Sequence, residues 1–170
     1  PDLCTLGKVI GGGFPLAAIV GRKDIMAHFD KSAVGDNEWL MMLGTLSGNP
    51  VAAVAGLKTM EVLRRAGAYE TLIASGERLM GMFEIHLTAQ NIPHQIVGHP
   101  TLFDVVFTDQ TVRDYRHVQQ SDTKRNAQFN SSLRQNGIFK SAGKTYPSLA
   151  LTELDFEKTE HAIELAARRL

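Results

Sequence analysis

Thr5-Leu6-Gly7-Lys8-Val9-Ile10-Gly11-Gly12-Gly13-Phe14-Pro15 is the stretch on which the reading of this chain turns. A lysine closes a short apolar segment and runs at once into three glycines, residues that let a backbone lie close to a flat or anionic ligand. An ammonium group among apolar neighbours loses hydration, which favours its neutral form and makes it a nucleophile toward an aldehyde. The same residues also suit a lysine at a strand end with a glycine turn after it, an arrangement found in many folds.

A second segment, Gly44-Thr45-Leu46-Ser47-Gly48-Asn49-Pro50, leads into the helical pattern Val51 to Leu63. Asn49 is a good N-cap and Pro50 a good first helical residue, so the polar loop is presented at a positive helix end. Such an end can receive a phosphate. An ordinary capped helix whose loop satisfies its own backbone reads the same way.

Together, Pro1 to Gly13 and Gly44 to Pro50 resemble the two signatures of the class III, pyridoxal-phosphate-dependent aminotransferases. The likeness is nearest to the glutamate-1-semialdehyde aminomutase branch, and it continues more weakly through Phe103 to Gln110 and Ser148 to Thr152. The resemblance implies an α/β fold, the C-terminal part of a fold-type I transferase. It also implies that Lys8 holds pyridoxal 5'-phosphate as an internal aldimine and carries the proton between two carbons of the amino-acid adduct. Thr45 would donate a hydrogen bond to the cofactor phosphate of the neighbouring subunit, so a homodimer acting on a small amino-acid substrate is expected.

In that family the phosphate loop, the ring-stacking aromatic and the aspartate partner of the pyridinium nitrogen lie upstream of the lysine. Here Lys8 stands near the start, and Asp2 occupies a different position from that aspartate. The chain is therefore expected to be the C-terminal part of a longer enzyme, inactive in isolation. The alternative is a non-catalytic truncated or dimerising fragment of the same fold.

Composition agrees with a globular piece. With 170 residues, 44% of them apolar, the chain can bury a core of its own. Eighteen acidic and 18 basic residues balance to zero, so nothing in the total points to nucleic acid or an acidic membrane surface. The single Cys4 excludes an intrachain disulfide and suits a reducing, cytoplasmic compartment. No apolar run is long enough to span a bilayer, and neither a starting methionine nor a signal peptide is present, which favours a fragment or processed product.

Along the chain, a strand is expected over Ala17–Gly21, then a loop through Gly35-Asp36-Asn37 and two helices. The second runs from about Tyr69 to Gln90 with Leu72, Leu79, Phe83 and Leu87 as its buried stripe. Asn91-Ile92-Pro93 breaks it. Strands are expected over Gln95–Gly98 and Leu102–Phe107, a helix over Ser121–Gln135 capped by Asn136-Gly137, and short strands over Ile138–Lys140 and Ser148–Leu151. Thr152 with Asp155 opens the last helix, whose stripe is Phe156, Ile163, Ala166, Ala167 and Leu170; Arg168 and Arg169 suit its negative end. Residues 1–90 thus read as the end of the large cofactor domain and 91–170 as a small α+β domain.

The six histidines show no tight pairing and no cysteine pair joins them, so no metal site is expected. Gly7-Lys8 is not a P-loop, because its glycines follow the lysine. Where the aminomutase branch carries Pro-Ser and then an acid, this chain has Lys140-Ser141-Ala142-Gly143-Lys144-Thr145-Tyr146, and Leu16-Ala17-Ala18-Ile19 replaces a run of smaller residues. Lys140, Lys144 or Tyr146 is therefore a candidate to meet a substrate carboxylate, a solvated loop being the other reading. These residues do not distinguish transaminase from aminomutase.

Overall fold

The computed structural model describes residues 1–42 and 44–170, and its packing divides between Ala66 and Gly67. In Pro1–Ala66, strand Leu3–Leu6 (β1) pairs antiparallel with Ala18–Gly21 (β2), Leu3 opposite Gly21 and Leu6 opposite Ala18. Arg22 closes the ribbon. Its backbone N–H donates to the Asp2 carbonyl at 3.0 Å, and its guanidinium binds the carboxylates of Asp2 and Asp24. Two one-turn helices follow, Lys23–Met26 (α1) and Lys31–Val34 (α2), the latter capped by the Asp30 side chain on the Ser32 amide. They are too short to show a period in the sequence.

Helix Pro50–Leu63 (α3) starts where Asn49-Pro50 announces it. Its packing is sparse. Among the described residues of this unit, only Gly11, Ala52 and Gly56 are buried, while Val51, Val54 and Leu57 are 58%, 66% and 72% exposed.

The core lies in Gly67–Leu170. Helix Ala68–Ala89 (α4) is followed by the hairpin Gln95–His99 (β3) and Leu102–Val106 (β4), then Tyr115–Gln119 (α5), Thr123–Gln135 (α6) and Glu153–Ala167 (α7). Helix α7 packs against both α4 and α6. Phe83 of α4 meets Phe103 of β4 edge-on with ring centroids 6.0 Å apart, and Phe129 of α6 lies 5.4 Å from Phe107. Edge-to-face aromatic pairs of this kind are favourable beyond the area they bury. Arg169 donates to Gln135 and Gln128 donates to the Arg169 carbonyl, so the end of α7 is tied to α6.

Helix α4 buries Leu79, Met82, Phe83 and Leu87 in this C-terminal core. The packing break therefore falls at Gly67, whereas the sequence marks a division near residue 91. Asn91 does end the helix, in a left-handed conformation at φ 53° with the Ile92 amide returning to the Leu87 carbonyl, but the chain stays in the same core beyond it.

The short strands expected over Ile138–Lys140 and Ser148–Leu151 are absent. Gly137 closes α6 at φ 84°, and only Thr145 pairs with the hairpin, exchanging both backbone hydrogen bonds with Phe103. The turn from Ser141 to Lys144 and the missing N–H of Pro147 stop a ladder from extending to either side. Helix α7 opens with the full Thr152–Asp155 capping box, and its expected stripe is buried apart from the half-buried Leu170.

Candidate active site

Lys8 opens a 3-10 turn, Lys8–Gly11, immediately after β1 and adopts φ 55°. A left-handed conformation costs a non-glycine residue about 1–2 kcal/mol, so it persists where the surroundings hold it. The surroundings here are α3. A Cβ at Gly12 would lie 2.6 Å from Thr59 Oγ1, and one at Gly56 would lie 3.0 Å from the Ile10 carbonyl oxygen. The close backbone approach expected of the glycine run is thus made to a helix. Gly13, at φ 92°, faces open space.

Lys8 itself is exposed in this chain, as are all four residues of β1 and, at 68%, Val9. The loss of hydration expected from its sequence neighbours is not supplied by these residues, because none of those apolar side chains is covered. Asp2 is occupied by Arg22, whose guanidinium lies 3.0 Å from its carboxylate.

Thr45 is exposed in the loop before α3, which is closed by the Ser47 amide on the Gly44 carbonyl and the Asn49 amide on that of Leu46. The helix end is less open than its sequence suggests. Pro50 has no N–H, Asn49 Oδ1 accepts from Val51 at 2.9 Å and Ala52 at 3.3 Å, and the Asn49 carbonyl accepts from Ala53. With its first amides consumed, α3 offers an anion little beyond its dipole.

Two cavities of about 550 and 380 Å³ in this unit are lined by flanks of both segments. Thr5, Leu6 and Ile19 meet Ser47 and Gly48 in the first; Pro15 and Leu16 meet Gly44 and Leu46 in the second. Lys8 and Thr45 line neither of them. The structure brings the neighbourhoods of the two residues together without bringing the residues into either cavity.

In Gly67–Leu170, Lys140, Lys144 and Tyr146 line one cavity. Behind the turn that joins the lysines stands Asp104, which the sequence reading passed over as part of a strand. Burial raises its carboxyl pKa, with Lys140 and Lys144 opposing that shift, and burial in turn lowers the pKa of Lys140. An acidic residue inside the apolar strand Phe103-Asp104-Val105 is the signal that could have found it.

Among the described residues no group of three or more His, Cys, Asp or Glu could hold a metal ion, and no helix is long and apolar enough to cross a membrane. His94 bonds the Ile92 carbonyl and Glu84, whereas His99 bonds Thr101.

The class III aminotransferase family model matches residues 1–166, and the chain belongs to that family. It is 37% identical to the glutamate-1-semialdehyde 2,1-aminomutase of Methanopyrus kandleri, over 99% of this chain and 39% of that protein. Its fold matches an omega-transaminase from Sphaerobacter thermophilus with a TM-score of 0.88 and 30% identity, over 99% of this chain and 38% of that one. A transaminase solved with PLP bound matches with a TM-score of 0.84 and 25% identity, over 99% and 38% respectively. The α/β fold read from the sequence, part of a fold-type I transferase, agrees with these structures. The chain spans well under half the length of each relative.

Proposed function

We propose that this chain is the C-terminal part of a pyridoxal-phosphate enzyme that moves amino groups, as a transaminase or an aminomutase, with Lys8 as its cofactor lysine. The observation that carries the reading is the left-handed backbone of Lys8, a strained conformation held on α3 at the one lysine that the family motif singles out. The residues present fit the two ends of such a group, one in each subunit of a dimer: an exposed primary amine for the aldehyde of the subunit's own cofactor, and the hydroxyl of Thr45 before a helix start for the phosphate of its neighbour's. Bound pyridoxal phosphate supplies an electron sink that makes a proton on the amino-bearing carbon labile. Lys8 would hold the group through Nζ by condensation with its aldehyde and loss of water, and its amine, freed when the substrate amine takes its place, would take up and return that proton.

Thr45 donates to a phosphate oxygen in the site of the neighbouring subunit, which makes the homodimer a condition of activity. The exposed Val51, Val54 and Leu57, spaced along one side of α3, support an interface on this unit, since exposed apolar surface of this kind marks contact sites. Residues 1–90 belong to the cofactor domain in this reading and 91–170 to the small domain, α4 being the connection that packs on the latter. The substrate is a small amino acid, and the lone exposed Cys4 suits a reducing cytoplasm. A second reading, a dimerising fragment without chemistry, draws on the exposure of Lys8.

Incubation with pyridoxal phosphate, borohydride reduction and peptide mapping test the choice, with Lys8→Ala as control. Selective labelling of Lys8 supports the cofactor lysine. Scattered or absent labelling in a folded chain favours the second reading.

A further inference from the structure

Helix α4, the segment 138–151 and Thr159 of α7 line an open cavity of about 310 Å³ within Gly67–Leu170, a size at the lower end of small-molecule sites. Its floor is apolar, formed by Leu79 and Phe83 of α4 with Ile138 and Leu151. Its rim carries Lys140, Lys144, Phe139 and Tyr146. Phe139 is 90% exposed and Tyr146 55%, so two aromatic rings stand at the mouth without packing partners that cover them. Free aromatic surface beside an apolar floor is costly in water and is a mark of a binding surface.

The rim is built rather than loose. The Phe103 and Thr145 backbones bond each other at 3.3 and 2.7 Å, Asn126 and Asn130 of α6 both donate to the Ala142 carbonyl, and Lys140 Nζ donates to that of Ser141 at 2.8 Å. The turn between the two lysines is thereby held from β4 and from α6. The carboxylate whose field reaches both lysines is Asp104, on the far side of that turn. Among the described residues, Lys140 and Lys144 are the charged residues that line the cavity, and no acidic side chain lines it.

We propose that this cavity binds a small amphipathic monocarboxylate, its apolar body on Leu79, Phe83, Ile138 and Leu151 and its carboxylate on Lys144 and Lys140. A lining with lysines and no acid suits a carboxylate, and the apolar floor selects against an anion with no apolar body, such as inorganic phosphate. The cavity lies wholly within the C-terminal unit, so the proposal does not depend on the chemistry of Lys8.

Titration calorimetry on the full chain tests it with phenylpropionate as probe, and with phenylpropanol and inorganic phosphate as comparisons. Saturable binding of phenylpropionate is expected, with phenylpropanol and Lys144→Met each weaker by about tenfold, the loss of one charge-assisted contact. Phe139→Ala, at a side chain that touches no core, weakens the carboxylate and the alcohol alike. Lys8→Ala binds as the parent does. Absence of saturable binding in a chain shown to be folded by circular dichroism overturns the proposal, as does equal affinity in Lys144→Met. In the complete enzyme, inhibition by phenylpropionate that the amino donor relieves assigns the site to the carboxylate of the substrate. An effect that the donor does not relieve assigns it to a separate regulator, and either outcome keeps the site.

Discussion

Gly56 and Ile10 approach backbone to backbone: a Cβ at Gly56 would sit 3.0 Å from the Ile10 carbonyl oxygen, in the turn that Lys8 opens. In an open helix, glycine to alanine gains about 1 kcal/mol. At this contact the overpacking cost of about 1–3 kcal/mol outweighs that gain. Gly56→Ala is expected to destabilise the unit and to displace the Lys8 turn, read as a lower yield of reduced cofactor adduct at Lys8. A stabilised α3 with undiminished labelling would show that this approach does not hold the turn.

Lys8→Gly separates strain from chemistry. Removing the Cβ relieves a backbone at φ 55°, so thermal unfolding is expected to rise by the equivalent of up to about 1 kcal/mol while cofactor labelling disappears. Lys8→Ala loses the label without the gain. Equal stability of the two variants would argue that the turn relaxes when the lysine is free.

Asn49 saturates the first free amides of α3. Asn49→Ala is expected to cost about 1 kcal/mol, measured by denaturant midpoint. Asn49→Gly should cost only a few tenths of that.

Arg78 makes a two-pronged pair with Glu153 and lies 4.2 Å from the centroid of Phe156, joining α4 to the first turn of α7. The guanidinium holds the Glu153 carboxyl below its ordinary value of 4.5. A depressed folded-state value means that the contribution is complete above pH 4.5 and is lost as pH falls through the lower folded value. The stability gap between the parent chain and Glu153→Gln is therefore expected to be constant near neutrality and to shrink below pH 4.5. A gap that widens in acid would refute the pairing as its origin.

The features legible in the sequence are those whose partners lie within a few residues. Asn49 before Pro50, Gly137 after α6 and the Thr152–Asp155 box each act on backbone groups of their own helix, so composition at fixed offsets reveals them. The stripe of α4 is legible for the same reason, since the helical period alone aligns Leu79, Phe83 and Leu87. Strands lack that advantage. Ile138–Lys140 and Ser148–Leu151 have strand-like composition, but a strand needs a neighbour along its edge, and only Thr145 finds one.

By itself, then, the sequence determined the family and the ends of the long helices, because these rest on short-range chemistry. Tertiary structure alone decided that the glycine run serves contact with α3, that α4 joins the C-terminal core, and that Asp104 stands behind two lysines distant in the chain. Each of those depends on which surfaces exclude water from one another, and that is a property of pairs of segments that no single segment encodes.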